Sequence, residues 1–115
     1  MQYRFKKEGG ILYVQTEGEI DMSMCDEWRD AIDNELGRSG LRNIVFDVTS
    51  VSFIDSSGLG VILGRYRKLL ARGGKVAVKG ANEQVYKILL LSGLAKIMEV
   101  SPACKQAVNR VGGIL

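Results

Sequence analysis

Four consecutive residues, Asp55-Ser56-Ser57-Gly58, put a carboxylate and two hydroxyls at one point of the chain. Upstream, Ile44-Val45-Phe46-Asp47-Val48 and Val51-Ser52-Phe53-Ile54 are β-branched or aromatic runs that predict a buried strand and its continuation. Downstream, Leu59, Ile62, Leu63, Tyr66, Leu69 and Leu70 recur at helical spacing. The quartet therefore falls where a strand gives way to a helix. Ser56 or Ser57 is expected as the N-cap, its side-chain oxygen accepting from a backbone N–H that has no partner within the helix. A hydroxyl on such a turn can act as a nucleophile or accept a phosphoryl group.

The rest of the chain weighs against the nucleophile. There is no histidine, which excludes a Ser-His-Asp triad and removes the commonest general base. Neither serine has glycine two residues away on both sides, so the nucleophile elbow of α/β hydrolases is missing. A Ser-Lys pair would need Lys79 or Lys96, and no spacing supports it. Gly58-Leu59-Gly60-Val61-Ile62-Leu63-Gly64 is one residue too long for GxGxxG, and no Lys-Ser/Thr follows to make a phosphate-binding loop. Accepting a phosphoryl group asks less, because the kinase brings nucleotide, metal and base. The product gains about −1.5 to −2 charges and three strong acceptors. A helix start tolerates that charge through its dipole, while Asp55 and Asp21 repel it. Local reorganisation is thus expected to be small, with the main effect at an interface fitted to a neutral serine.

Gln2 to Lys6 and Ile11 to Thr16 alternate as strands around Lys7-Glu8-Gly9-Gly10, which predicts a hairpin. Ser23 is expected to begin a helix, with Asp26 as a weak capping box, Trp28, Ile32 and Leu36 on its apolar face and Gly37 as its stop. A strand from Asn43 to Thr49 leads into the Asp-Ser-Ser-Gly helix, which Gly73-Gly74 ends. Lys75 to Lys79 reads as a strand, Asn82 opens a helix closed at Gly93, and Ile97 to Val100 makes a last strand. Ser101-Pro102 should start a terminal helix. The order implies an α/β fold with a mixed, mostly parallel sheet of about five strands and four helices.

In the helix after the quartet, Gly60, Val61 and Gly64 lie off the Leu59/Ile62/Leu63/Tyr66 stripe. Glycine in a helix interior costs about 1 kcal/mol relative to alanine, so two of them ask for a reason. Close approach of a partner beside an exposed Val61 is favoured over packing within the fold. Trp28 and Tyr66 are read as core.

At 115 residues and 46% apolar content, residues 1–115 suit one domain. Cys25 and Cys104 stand far apart with no CxxC and no histidine, which predicts free thiols in a reducing cytoplasm and neither metal nor cofactor. The net charge of +3 and pI near 9.0 are spread over scattered lysines and arginines, with Arg65-Tyr66-Arg67-Lys68 the densest patch. No recognition helix or aromatic RNA-binding pattern accompanies them, so no direct nucleic-acid binding is expected. Apolar runs such as Ile88 to Leu91 fall far short of the ~20 residues that span a bilayer, so no membrane segment is expected.

The whole segment from Phe53 to Tyr66 closely resembles the switch segment of STAS-domain anti-sigma factor antagonists, nearest to the sporulation branch through Gly60-Val61-Ile62-Leu63-Gly64-Arg65-Tyr66. Gly18-Glu19-Ile20-Asp21 resembles the family's motif at the end of its second strand, and Ser92-Gly93-Leu94-Ala95-Lys96-Ile97 its third-helix terminus. The resemblance implies a single STAS domain that is not an enzyme. Its unphosphorylated form would bind an anti-sigma factor and release the sigma factor held there. That partner would also be a serine kinase acting on Ser56, and a serine phosphatase would restore the binding form. Spacing alone does not choose between Ser56 and Ser57; the resemblance assigns the phosphate to Ser56 and a supporting role to Ser57. Asp21, Asp55 and Gly58 would join Ser56, Ser57, Gly60, Val61 and Gly64 on the partner-binding surface. The alternatives are a STAS module of a general stress or transporter-associated pathway and, in a different class, a small serine-dependent hydrolase.

Overall fold

A computed structural model describes residues 1–103. The first two strands, β1 (Gln2–Glu8) and β2 (Ile11–Ile20), form an antiparallel hairpin. Gly9 and Gly10 both take positive φ there, 60° and 79°, which a two-residue turn of this kind demands and which side chains oppose. The chain then runs α1 (Met22–Ser39), β3 (Asn43–Ile54), α2 (Ser56–Leu70), β4 (Lys75–Ala81), α3 (Glu83–Leu91), a 3-10 turn at Leu94–Lys96 and β5 (Glu99–Pro102). The five strands lie in the order β1-β2-β3-β4-β5, with every pair after the hairpin parallel. This is the mixed, mostly parallel sheet expected from the alternation of strands and helices.

Burial alternates along the central strands. Leu12, Val14, Ile44, Phe46, Val76 and Val78 are buried, while Tyr13, Gln15, Val45, Asp47, Ala77 and Lys79 between them are not. One face of the sheet is therefore packed and the other open. The packed side forms one cluster with Trp28, Ile32 and Leu36 of α1, Val61, Ile62 and Leu69 of α2, and Val85 and Leu89 of α3. The Trp28 ring meets Phe46 edge-on at 5.7 Å.

Several boundaries differ from the sequence reading. Helix α1 passes through Gly37 and ends at Ser39, with Gly40 in the left-handed region and its N–H donating to the Leu36 carbonyl. One glycine in a helix well packed on its other face is tolerated. Ser101 and Pro102 belong to β5, so a terminal helix does not start there; the remainder of that expected helix lies outside the described residues, and among the described residues three α-helices are counted. Arg65, assigned to a basic surface patch, is only 5% exposed. Its Nε lies 3.1 Å from Asp33 Oδ1, which joins α2 to α1, and burial pushes its pKa down while Asp33 holds it up.

Candidate functional site

The register of β2 against β3 builds the site. Two shifts, between Gln15 and Glu17 and between Gly18 and Glu19, let β3 carry extra residues and still end level with β2, so that Ile20 pairs with Ile54. The next residue on each strand is an aspartate, Asp21 and Asp55, and each opens a helix. The two turns are copies of one another. Ser23 donates its N–H (3.0 Å) and hydroxyl (2.6 Å) to Asp21 Oδ1. Ser57 donates its N–H (3.0 Å) and hydroxyl (2.5 Å) to Asp55 Oδ1, and the Gly58 N–H adds a third bond at 3.2 Å. Asp55 also ties the turns together: its own N–H donates to the Ile20 carbonyl at 3.1 Å, and its Oδ2 accepts from the Met22 N–H at 3.2 Å.

The caps are thus the aspartates. Asp55 replaces the expected Ser56 or Ser57, and Asp21 replaces Ser23; Asp26 pairs with Arg29 and closes no capping box. A carboxylate accepts several N–H and O–H bonds at once and complements the positive end of a helix, which a serine hydroxyl does less well. Ser56 is left as the first helical residue, exposed, and no described residue bonds its side chain. Ser57 is half-buried and committed to Asp55. Behind it the buried Cys25 thiol donates to Ser57 Oγ at 3.5 Å. Burial pushes that thiol's pKa up, and the neighbouring carboxylates reinforce the shift, so it remains protonated.

The hydrogen bond from the Ser57 hydroxyl, joined by the backbone N–H groups of Gly58, Ser57 and Met22, holds Asp55 below the ordinary carboxylate range against the opposing effect of desolvation. A depressed native pKa means that Asp55 contributes stability above its unfolded pKa of about 3.9, and that the contribution is lost as pH falls through the native value. Asp55→Asn keeps one cap acceptor but offers Met22 none, which is expected to cost about 1 kcal/mol at neutral pH. Urea unfolding at stepped pH should show the gap between wild type and this variant narrowing below pH ~4. A gap that stays constant down to pH 2 would disprove the linkage.

Helix α2 is rotated from its expected setting. Gly58, Val61, Ile62, Arg65 and Leu69 face inward, and Val61, expected on the exposed strip, is 6% exposed. The cause is Gly58: a Cβ there would sit 2.6 Å from Ile20 Cγ2 and 2.8 Å from Ile54 Cγ1, so its bare backbone lies directly on the two strand ends. That contact turns positions 58, 61, 62 and 65 to the sheet. Gly60 and Gly64 are left facing open space, where an added Cβ would meet nothing within 4 Å, so neither is needed for packing among the described residues. Met22, absent from the sequence-based site, stands to Asp21 as Ser56 stands to Asp55. The hint in the sequence was the repeated Asp-x-Ser. Among the described residues, no group of histidine, cysteine and acidic side chains is arranged to hold a metal, and no helix is long and apolar enough to cross a membrane.

Residues 2–107 match the STAS domain. The chain is 39% identical over 100 residues to an anti-sigma F factor antagonist of Paenibacillus polymyxa, covering 87% of this chain and 86% of that protein. Its fold superimposes on that of the anti-sigma factor antagonist SpoIIAA in its unphosphorylated form, with a TM-score of 0.78 and 27% identity over 99% of both chains. Against the phosphorylated form of the Bacillus cell fate determinant SpoIIAA the TM-score is 0.70, with 25% identity over 96% of this chain and 99% of that one. The sheet and these likenesses agree: the chain belongs to the STAS-domain family, among its anti-sigma factor antagonists.

Proposed function

We propose that this protein binds an anti-sigma factor through the surface around Ser56, thereby freeing a sigma factor, and that phosphorylation of Ser56 by that partner ends the interaction. The chain acts as one domain over residues 1–115 and as a binding protein, with no catalysis of its own. The kinase activity belongs to the partner, and a separate serine phosphatase resets the switch. The observation that carries the reading is the contrast between the two serines: Ser56 is exposed with its hydroxyl uncommitted, whereas Ser57 spends its hydroxyl on Asp55 at 2.5 Å. The names of the relatives support the class of partner. Incubation with the anti-sigma F factor of Paenibacillus polymyxa and ATP, followed by fragment mass mapping, is expected to find phosphate on Ser56 alone. Phosphate on Ser57 or on a threonine overturns the assignment.

Gly60 and Gly64 extend the surface along α2. Since a methyl group meets nothing at Gly60, Gly60→Ala should raise stability by about 1 kcal/mol through helix propensity and a less free unfolded chain. The same methyl group stands where the partner approaches, so affinity should fall. Gly64→Leu should fold normally and weaken binding further, by about tenfold or more. Thermal unfolding and binding titration separate the two effects; undiminished binding by both variants removes the strip from the interface.

A further inference from the structure

The duplicated turn has a consequence for Met22. Single exposed apolar residues are ordinary on protein surfaces, and 76% exposure of Met22 would mean little by itself. Its setting is what distinguishes it. Met22 occupies the first helical position of α1 as Ser56 does of α2, each preceded by a capping aspartate and followed by the serine that bonds that aspartate. Asp55 Oδ2 holds the Met22 N–H at 3.2 Å, so the apolar side chain and the phosphoacceptor rise from two turns joined by one carboxylate. Of the other apolar residues on this helix, Cys25, Trp28, Ile32 and Leu36 are buried and Met24 and Ala31 are half-buried, so Met22 alone is exposed. Met22 is thus a flexible, polarizable side chain on a backbone already ordered from both sides, which lowers the conformational loss on binding.

We infer that Met22 is an apolar anchor of the anti-sigma contact surface, filling an apolar recess of the partner beside Ser56. The inference rests on the function proposed above and adds a contact to it. It also gives the surface the make-up of a productive interface, an apolar anchor with charged and hydroxyl groups beside it. A phosphate on Ser56 would then have to be desolvated next to an apolar contact, which a neutral serine avoids.

Binding of the anti-sigma F factor of Paenibacillus polymyxa should be measured for wild type, Met22→Gln, Met22→Leu, Gly64→Leu and Leu91→Ala. Leu91 is a control, 81% exposed at the end of α3. Met22→Gln keeps the length and helix preference of the side chain and should weaken binding about tenfold, with the unfolding temperature unchanged. Met22→Leu and Leu91→Ala should bind within about twofold of wild type, a difference well under 1.4 kcal/mol. If Met22→Gln binds like wild type while Gly64→Leu is weakened, the anchor is disproved and the proposed function stands. Equal losses in Met22→Gln and Leu91→Ala disprove the anchor too, because the effect would then be a general one of surface apolarity. If wild type itself fails to bind, the functional reading falls and the anchor with it.

Discussion

Phosphate on Ser56 is expected to weaken binding to the anti-sigma factor on the order of a hundredfold while leaving the fold intact, since two factors of ten correspond to only about 2.8 kcal/mol. The two halves of that expectation have one physical origin. In the free protein Ser56 is exposed, so its phosphate and the Asp55 carboxylate repel each other through water, at about 1 kcal/mol for unit charges near 4 Å. The Ser57 and Gly58 N–H groups already donate to Asp55 Oδ1, and the Leu59 N–H donates to the Asp55 carbonyl. The phosphate therefore finds these three amides of the first turn occupied and points outward. On a closed interface water is excluded, and setting like charges together or burying an unpaired one costs several kcal/mol. Ser56→Ala should bind like wild type and resist phosphorylation; Ser56→Asp should fall between, with about half the charge of phosphate. Titrations of these proteins against the same partner decide the matter, and equal affinity for the modified and unmodified forms would rule out an electrostatic switch.

Gly58→Ala should be the most damaging single methyl group in the site. Its carbon would lie 2.6 Å from Ile20 Cγ2 and 2.8 Å from Ile54 Cγ1, and both isoleucines are buried to within 1%. Neither side chain has space to retreat into. Overpacking of this kind costs about 1–3 kcal/mol, and the gain in helix propensity returns only about 1. With two contacts below 3 Å the cost falls in the upper part of that range, about 2–3 kcal/mol, and the net loss of roughly 1–2 kcal/mol should lower the unfolding temperature by several degrees. Relief comes from lifting the start of α2 off the strand ends, and Asp21 and Asp55 are the next residues on those strands, so partner affinity should fall as well. The comparison with Gly60→Ala, two residues away with no neighbour to meet, isolates the cause. If Gly58→Ala is as stable as wild type, the steric account of the rotated helix is wrong.

Much of this was legible in the sequence. Strand and helix positions follow from local periodicity, and the hairpin from two glycines in succession; the mixed sheet follows from the alternation of elements, because each is governed by residues close in the chain. The Asp-Ser-Ser-Gly turn was visible as a helix start, and its family likeness pointed to Ser56. Its hydrogen-bond pattern was not, since serine and aspartate are both good caps and only the packed turn shows which oxygen faces the amides. The facing of Val61 and Arg65 was lost for a related reason: a wheel drawn from apolar types cannot know that a bare Gly58 backbone lies on Ile20 and Ile54 and rotates α2 inward. Above all, Asp21 and Asp55 are 34 positions apart in the chain and become neighbours only because two register shifts in β2 and β3 bring Ile20 level with Ile54. Register is a property of strand pairs, set by the core that both strands share, and no single segment carries it.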